Sequence, residues 1–298
     1  MSKLPIKQTL GIIAAVISHP ANRGGRLQAL MRSIKWQLTK RTADKPVVVD
    51  FHGLKLNCYP DSTSSSSVIY FNGLPDYWEM KFIQTYLRPS DNFLVVGANV
   101  GVYTILAASC IGESGSVDAF EPMEATASRI EEQVALNGLE NVEVHRLAVG
   151  NQNQIVDFGY ANNSAMMHMQ RDGESEEEAL HVHGIRLDDF KPGKRFAMGK
   201  MDIEGAEPLA LQGGLNRLAE ANPPVWLLEL AGYSKFYGMD SDEVIRFLKS
   251  NGFECGVYNT ETRQVIYTDQ PWSLAVQNIL AISTAHKEEV LSKIQAAH

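Results

Sequence analysis

A glycine turn between two apolar segments constrains the fold of this chain more than any other feature. The turn follows the apolar run 93–96 and contains Gly97 and Gly101, and twenty residues past Gly101 a second apolar run ends in Glu121. A buried strand, a glycine turn, a helix and a second strand ending in a carboxylate form a site for a ribose-bearing cofactor. The pattern predicts an α/β fold with its ligand at the carboxyl end of the first strand.

The spacing of the two glycines limits the class of cofactor. A side chain at Gly97 or Gly101 would obstruct close approach of the backbone to a ligand. The motif Gly-x-Gly-x-x-Gly, which approaches a pyrophosphate, is absent, and this argues against a dinucleotide. Glu121 is placed to accept hydrogen bonds from both hydroxyls of an adenosine ribose. The alternatives are glycines that serve only the turn and a solvated Glu121 at a strand end.

Apolar strand-like runs alternate with helical runs after residue 90. The predicted strands lie near 93–97, 116–121, 142–148, 196–202, 225–230, 253–258 and 277–282. The predicted helices lie near 102–111, 124–137, 206–219 and 241–250. This alternation is typical of a mostly parallel sheet covered on both faces. The segment from about 154 to 190, which contains the acidic run 172–178, interrupts the alternation and should lie outside the sheet.

The first 90 residues are expected to form a small α+β subdomain. Apolar residues at helical spacing predict an amphipathic helix over 26–40, and two short apolar runs within 47–58 predict a hairpin. The serine-rich segment 61–67 is expected to be a flexible loop. We therefore divide the chain into an N-terminal helical and hairpin subdomain, 1–90, and a cofactor-binding domain, 91–298.

Charge is distributed unevenly along the chain. Residues 1–45 carry nine Lys or Arg and one acid, so their net charge is +8, whereas the rest carries 18 basic and 34 acidic residues, a net charge of −16. Such a basic arm fits a solvated helix face, or contact with a membrane surface, a phosphorylated substrate or the acidic body itself. The apolar run 10–17 is too short to span a membrane, and the three cysteines form no disulfide framework. We expect a cytoplasmic protein.

Three carboxylates are predicted to converge at the edge of the sheet that carries the glycine turn. Asp202 ends one predicted strand, Glu204 lies in the turn that follows, and Glu229 ends the neighbouring strand. Mutual repulsion raises the pKa values of clustered carboxyl groups, so such a cluster favours a functional role. These groups could bind a cation, orient an acceptor hydroxyl or act as a general base. Asp202 is the first candidate for the base, with Glu204 and Glu229 behind it.

Five motifs in order resemble the FkbM family of S-adenosylmethionine-dependent methyltransferases. They are Val-Gly-Ala-Asn-Val-Gly-Val-Tyr-Thr at 96–104, Ala-Phe-Glu-Pro at 119–122, Asn-Gly-Leu-Glu-Asn-Val-Glu-Val-His at 137–145, Leu-Asp-Asp-Phe at 187–190 and Lys-Met-Asp-Ile-Glu-Gly-Ala-Glu at 200–207. The resemblance implies a Rossmann-like class I methyltransferase sheet of seven strands with the last antiparallel. It also implies O-methylation of a hydroxyl on a sugar, glycolipid or polyketide-type metabolite.

The resemblance also implies roles for individual residues. The residues that would bind S-adenosylmethionine are Gly97, Ala98, Asn99, Gly101, Tyr103, Thr104, Glu121, Pro122, Ala148, Val149 and Asp202. Among them Glu121 would hold the ribose, Ala148 and Val149 would border the adenine, and Asp202 with Glu204 would face the methyl group and the acceptor.

One position departs from the family pattern. The family's glycine motif usually begins with Asp, and Val95 stands at that position here. The missing carboxylate would normally help to hold the charged amino-acid portion of the cofactor. Glu79 matches an acidic position upstream of the core and is a candidate to compensate. Because of this departure, one alternative remains: the chain is a non-catalytic or altered-cofactor member of the family that serves as a carbohydrate or membrane-surface module.

The expected acceptor is a small molecule, and neither nucleic acid nor metal is expected. Tyr77, Trp78, Glu79 and His168 are the tentative acceptor-binding residues, because aromatic faces suit sugar rings and macrocycles. His181 and His183 form a His-x-His pair that suggests a metal, although isolated surface histidines are commoner. A nicotinamide-dependent oxidoreductase is the further alternative. The basic arm within residues 1–45 is expected to make at most a weak membrane-surface contact, and the sequence does not indicate an oligomeric state.

Overall fold

The computed structural model describes residues 6–160, 167–171, 179–274 and 277–296. Its α-helices are α1 (Ile6–Ser18), α2 (Arg26–Thr39), α3 (Thr63–Tyr70), α4 (Tyr77–Tyr86), α5 (Val102–Ile111), α6 (Glu124–Asn137), α7 (Glu207–Gln212), α8 (Leu215–Ala219), α9 (Ser241–Ser250) and α10 (Lys287–Ala296). Its strands are β1 (Val47–Phe51), β2 (Leu54–Cys58), β3 (Asn92–Val96), β4 (Ser116–Phe120), β5 (Val142–His145), β6 (Ala148–Gly150), β7 (Ile155–Tyr160), β8 (Met167–Met169), β9 (Leu180–Arg186), β10 (Met198–Met201), β11 (Val225–Glu229), β12 (Phe253–Asn259), β13 (Gln264–Tyr267) and β14 (Asn278–Ser283).

An eight-stranded sheet with the order β13-β12-β14-β11-β10-β3-β4-β5 forms the centre of the protein. The strands from β11 to β5 are parallel, and β14, the last strand in the chain, is antiparallel to β11. The predicted Rossmann-like sheet with an antiparallel last strand is therefore confirmed. The eighth strand, β13, was not predicted; it folds back on β12 as a hairpin and adds an edge to the seven expected strands.

The central strands read as continuous apolar runs because both faces of the sheet are covered. In β3, Phe93 and Val95 pack in the core on the side of α4 and α5, whereas Leu94 and Val96 pack in a second core with residues of α7, α8 and α9. All four side chains are fully buried. Side chains of a strand alternate between faces, so burial on both faces requires apolar residues throughout. This layering leaves the carboxyl ends of the strands as the accessible edge.

The segment that interrupts the alternation forms a second sheet. Its strands β7, β8 and β9 join β6 in a four-stranded sheet with the order β6-β9-β7-β8, separate from the central sheet as expected. The acidic run 172–178 lies outside the described residues. The predicted helix 206–219 is divided into α7 and α8 at Gly213-Gly214. A Cβ at Gly213 would lie 2.0 Å from the carbonyl oxygen of Gly150, so α7 packs directly on the end of β6.

The N-terminal region contains the predicted hairpin, β1 with β2, and the predicted helix, α2. The expectation of a flexible loop over 61–67 was wrong, because helix α3 begins at Thr63. The Ser62 hydroxyl caps it by accepting a hydrogen bond from the Ser65 N–H, and the Ser66 and Ser67 hydroxyls donate to carbonyl groups of the preceding turn. Buried Val68 and Ile69 anchor the helix to the core.

The N-terminal elements share their core with the central sheet. Phe82 and Ile83 of α4 and Phe51 of β1 belong to the same buried cluster as Val95 of β3. The proposed boundary near residue 90 remains a prediction. In the described part of the chain, the helices are all too short or too polar to cross a lipid bilayer.

Candidate active site at the carboxyl edge of the sheet

The turn after β3 requires glycine for a reason that differs from the one the sequence suggested. Gly97 has a φ of +82°, and a Cβ there would lie 1.8 Å from the backbone oxygen of Asp202. The Asp202 N–H in turn donates to the Val96 carbonyl at 3.0 Å. The glycine therefore allows the turns after β3 and β10 to approach each other, and this contact of the protein with itself shapes the site.

Glu121 organises the same turn from the end of β4. One carboxylate oxygen accepts the Asn99 N–H at 2.9 Å, and the other accepts the Met123 N–H at 3.1 Å. Burial raises the pKa of Glu121 to about 7, although the two backbone hydrogen bonds oppose the shift. Each oxygen has a further lone pair, so the carboxylate retains the capacity to accept hydrogen bonds from a ligand.

A cavity of about 250 Å³, here called the glycine-loop cavity, lies against the turn. Five of the predicted cofactor residues line it: Gly97, Ala98, Asn99, Tyr103 and Asp202. Its other walls are Thr63, Ser64 and Ser67 of α3, Pro75 and Asp76 before α4, Val102 and Lys200. Helix α3, the glycine turn, the start of α5 and the end of β10 thus line a space that has both acidic and basic side chains on its walls.

The remaining predicted cofactor residues are placed differently. Gly101 is the N-cap residue immediately before α5, with a φ of +88°, and Pro122 follows Glu121 in the turn after β4. Thr104 is fully buried, and its hydroxyl has no hydrogen-bond partner among the described residues. Ala148 and Val149 are buried in β6, where Val149 packs with the core beneath the sheet and Ala148 packs near Ala206. None of these lies on the described walls of the glycine-loop cavity.

Lys200 is a buried cation that the sequence did not single out. It lies beside Val95 in the register of β10 and β3, is nearly fully buried, and its Nζ donates to Asp202 at 2.8 Å. The same Nζ lies 4.4 Å from the centre of the Tyr103 ring, whose hydroxyl donates to Asp76 at 2.8 Å. With valine at position 95, Asp202 supplies the carboxylate that neutralises this lysine.

Asp202 and Glu229 form a hydrogen-bonded pair at the ends of β10 and β11. Burial opposes ionisation of Asp202, but the charge of Lys200 and the hydrogen bonds from Glu229 and Lys200 hold its pKa below the usual value. Burial and the adjacent Asp202 charge raise the pKa of Glu229. These opposite shifts favour a proton on Glu229 and a negative charge on Asp202 beside Lys200.

Glu204 is the half-buried carboxylate of the cluster whose pKa is closest to neutrality. Burial, together with the charge of Asp202, raises its pKa to about 7, while Arg171 and Lys200 act in the opposite direction. Its φ of +56° places it in the left-handed region, which non-glycine residues seldom adopt. The Arg171 guanidinium donates to the Glu204 carbonyl at 3.2 Å. Strained backbone of this kind is concentrated at functional sites.

A larger opening of about 830 Å³, here called the rim cleft, adjoins the glycine-loop cavity. Pro75 and Asp76 line both spaces. The tentative acceptor residues Tyr77, Trp78 and Glu79 line the rim cleft together with the segments that follow β11 and precede β14. Burial raises the pKa of Glu79 to about 7, although a hydrogen bond from Asn278 opposes the shift.

A third space of about 410 Å³, here called the side cleft, shares Tyr77, Trp78 and Glu79 with the rim cleft and extends to Pro20 and Arg23. His168, the fourth tentative acceptor residue, is buried in β8, and the described walls of the three spaces do not include it. His181 pairs with Asp157 on the exposed face of the second sheet. Of the four proposed acceptor residues, Tyr77, Trp78 and Glu79 line described cavity walls, and the role of His168 stays a prediction.

Two residues that the sequence reasoning left unassigned belong to the site. Lys200 could have been found because residues two apart in a strand share a face, which places it beside Asp202. Asp76 precedes α4, and its side chain makes no capping hydrogen bond but accepts one from Tyr103. How close Asp76 lies to Tyr103 depends on how α4 packs, and the sequence contains no signal for that packing.

The sequence matches the Methyltransferase FkbM domain over residues 96–255, more than half of the chain. This range contains the glycine turn, Glu121 and the three clustered carboxylates. A protein named Methyltransferase 1 from Beauveria bassiana (strain ARSEF 2860) is 26% identical over 148 residues. The match covers 42% of this chain and 59% of that protein.

Solved structures of methyltransferases are similar in general arrangement. A structure described as a putative O-methyltransferase from Klebsiella pneumoniae is 12% identical, with 92% of this chain and 94% of the other covered and a TM-score of 0.40. An S-adenosylmethionine-dependent O-methyltransferase from Thermotoga maritima is 13% identical, with coverages of 80% and 78% and a TM-score of 0.39. The chain belongs to the FkbM family of methyltransferases.

Proposed function

We propose that this methyltransferase transfers the methyl group of S-adenosylmethionine to a hydroxyl of a sugar, glycolipid or polyketide-type acceptor. The main support for the proposal is that the glycine-loop cavity and the rim cleft share a wall at Asp76. The glycine-loop cavity, with walls of both charges, opens beside a larger cleft with aromatic walls. A donor site and an acceptor site must adjoin in this way for a group to pass between two bound molecules.

The residues present fit the proposed cofactor. Its amino-acid portion carries one positive and one negative charge, and the glycine-loop cavity offers Lys200 on one wall and Asp76 and Asp202 on others. Hydroxyl groups of Thr63, Ser64 and Ser67 add neutral hydrogen-bonding groups. Glu121 would hold the ribose through its remaining lone pairs. The carboxylate missing at Val95 is thus offset by acids that reach the cavity from other elements.

When bound, S-adenosylmethionine supplies an electrophilic methyl group on a sulfonium. The protein's own contribution is to hold the acceptor oxygen in line with it and to exclude misaligned poses. Tyr77 and Trp78 offer aromatic faces to the acceptor in the rim cleft, and 44% of Trp78 is exposed before any acceptor binds. Glu79 offers a carboxylate to acceptor hydroxyl groups on the same wall.

Glu204 is the residue we assign as general base. A hydroxyl is a weak nucleophile and gains from a base whose pKa lies near the working pH. Glu204, with a pKa of about 7, meets this condition. Asp202 meets it less well, because Lys200 and Glu229 occupy its carboxylate and lower its pKa. In this arrangement Asp202 stays ionised and its charge raises the basicity of Glu204.

Thermal unfolding tests the cofactor class. S-adenosylhomocysteine at millimolar concentration should raise the melting temperature, because a ligand of the native state stabilises it by mass action, whereas NAD should leave it unchanged. The same protein should then transfer a labelled methyl group from S-adenosylmethionine to members of a panel of sugars, glycolipids and polyketides. Stabilisation by NAD alone, or labelling confined to amine or nucleic-acid acceptors, would contradict the proposal.

Replacing Glu121 tests the ribose site. The variant Glu121→Gln keeps the shape of the side chain, but its amide NH2 cannot accept a hydrogen bond as the replaced carboxylate oxygen does. We expect the affinity for S-adenosylhomocysteine, measured by calorimetry, to fall at least about tenfold. Glu124→Ala, an exposed acid three residues later, should bind normally. Affinity equal to that of the unmodified protein in a folded Glu121→Gln variant would remove Glu121 from the cofactor site and leave it as an organiser of the turn.

A further inference from the structure

Helix α2 presents its most apolar stripe to solvent. The exposed fractions of its side chains are 74% for Leu27, 61% for Met31, 49% for Ile34 and 60% for Leu38. At 100° per residue these four lie within an arc of about 60°. An amphipathic helix of a globular protein ordinarily packs such a stripe on the core. Here the stripe points outward, and this arrangement requires an explanation.

The opposite face of α2 is firmly attached to the protein. Ala29, Ser33 and Trp36 are buried on that side. Arg32 donates to the side-chain oxygen of buried Asn22 at 3.1 Å, and the Asn22 amide donates to the carbonyl groups of Val16 and Tyr70, each at 2.9 Å. Rotating α2 to bury the stripe would break the hydrogen bonds of Arg32 to Asn22 and to the Ile69 carbonyl, and it would expose buried Trp36, at a cost for every polar group left unsatisfied. The outward direction of the stripe is therefore built into the fold.

Cations flank the stripe. Arg26 and Lys35 are exposed, lie on either side of it around the helix, and form no salt bridge with a described residue. Arg41 is exposed just past the end of the helix. Residues 1–45 carry a net charge of +8, and the rest of the chain carries −16. An anionic surface would thus attract this face and repel the remainder, which sets a single orientation.

We propose that α2 docks the protein on an anionic lipid surface, with the stripe of Leu27, Met31, Ile34 and Leu38 inserted between head groups. Leucine-rich stripes bordered by Lys and Arg are suited to this interface because apolar burial and attraction to anionic lipids add. A second copy of the chain is a less suitable partner for the stripe. A twofold contact through the stripe would bring Arg26 and Lys35 of each copy near the same cations of the other.

Docking would also bring the rim cleft, where we place the acceptor, close to the lipid. The side cleft extends to Pro20 and Arg23, which immediately precede α2, and it shares Trp78 and Glu79 with the rim cleft. An acceptor anchored in the lipid could then reach the site without leaving the surface. This consequence rests on the proposed function, whereas docking itself does not and is measured without any methyl transfer.

Vesicle co-sedimentation of the full chain tests the proposal. The protein should sediment with vesicles of phosphatidylcholine containing about one third phosphatidylglycerol, and binding should weaken steeply as salt is added. On pure phosphatidylcholine it should stay in the supernatant. Absence of binding to the anionic vesicles at low salt, or equal binding to both compositions, would overturn the proposal.

Variants assign the effect to the stripe. Leu27→Ser, Met31→Ser and Leu38→Ser combined should lower the vesicle partition coefficient at least about tenfold, since each change removes apolar area that enters the lipid. A control with Ile155→Ser, Leu180→Ser and Leu215→Ser removes three exposed apolar side chains elsewhere and should bind normally. Equal loss in both variants would overturn the assignment. Sedimentation equilibrium showing a dimer that only the stripe variant loses would identify a second copy as the occupant instead.

Discussion

Replacing Glu204 with glutamine should lower kcat by about 100- to 10,000-fold, the usual contribution of a positioned general base. Glutamine preserves the size of the side chain and its acceptor oxygen but cannot accept a proton at neutral pH. Because Glu204 lies in the turn after β10 and is not among the described walls of the glycine-loop cavity, affinity for S-adenosylhomocysteine should change little. Steady-state kinetics with an acceptor found in the screen, together with calorimetry, separate the two effects.

The dependence of kcat on pH tests the role of Glu204 independently. Burial and the Asp202 charge raise the pKa of Glu204 to about 7, so the carboxyl group is protonated and inactive as a base below that pH. In the unmodified enzyme kcat should therefore rise with pH through about 7 and level off above it. In Glu204→Gln the residual rate should lose this rise, because the group that titrates is absent.

Glu79 provides the matched control for that experiment. Burial raises its pKa to about 7 as well, but it lies on the wall of the rim cleft. Glu79→Gln should therefore raise the KM for the acceptor and leave the rise of kcat with pH in place. The opposite pattern, with the rise lost in Glu79→Gln and retained in Glu204→Gln, would assign the base to Glu79 and refute the role proposed for Glu204.

The sequence predicted the central sheet well because its signals are local and repeated. Each buried strand is an apolar run bounded by a turn, and the family resemblance supplies the antiparallel last strand that periodicity alone does not. Strand β13 was missed because Gln264–Tyr267 is a short edge segment with only one buried side chain, Val265. Helix α3 was missed because a run of serines resembles a loop until its cap and its buried Val68 and Ile69 are known.

Other features depend on contacts between elements that are distant in sequence. The apolar periodicity of α2 correctly predicted a helix, but the outward direction of its apolar stripe depends on the burial of Trp36 and on the hydrogen bonds of Arg32. The charge state of Asp202 depends on Lys200 and Glu229, which reach it from the same strand and from the next. The positions of the strand ends were enough to predict that the carboxylates lie close together. The order of their pKa values depends on how deeply each group is buried and on its hydrogen-bond partners, which only the structure gives.

The departure at Val95 illustrates the same limit. From the motif alone, the loss of a carboxylate in the opening turn weakens the case for a bound cofactor. In the folded protein Val95 is buried in the core beside Lys200, and Asp202 neutralises that lysine. Asp76 reaches the cavity from the segment before α4. The carboxylates that line the cavity, Asp76 and Asp202, thus come from 19 positions before Val95 and 107 positions after it, where the motif gives no signal of them.

Replacing Gly97 with alanine should destabilise the protein by about 2–5 kcal/mol. Two costs add at this position. A left-handed backbone costs an L-residue about 1–2 kcal/mol, and Gly97 has a φ of +82°. A Cβ would also lie 1.8 Å from the Asp202 oxygen, a contact that only backbone movement can relieve, and overpacking of this kind costs about 1–3 kcal/mol. Urea denaturation measures the free energy of unfolding directly.

Gly53 separates the two costs because it shares the positive φ of Gly97 without the close contact. Its φ is +87°, and a Cβ there would meet no heavy atom within 4 Å. Gly53→Ala should therefore cost only the conformational part, about 1–2 kcal/mol, and leave S-adenosylhomocysteine binding intact. Gly97→Ala should cost more and also weaken that binding, because moving the Asp202 turn deforms the glycine-loop cavity. Equal destabilisation by the two variants would show that the turns after β3 and β10 can separate freely, and that Gly97 is required for its backbone conformation alone.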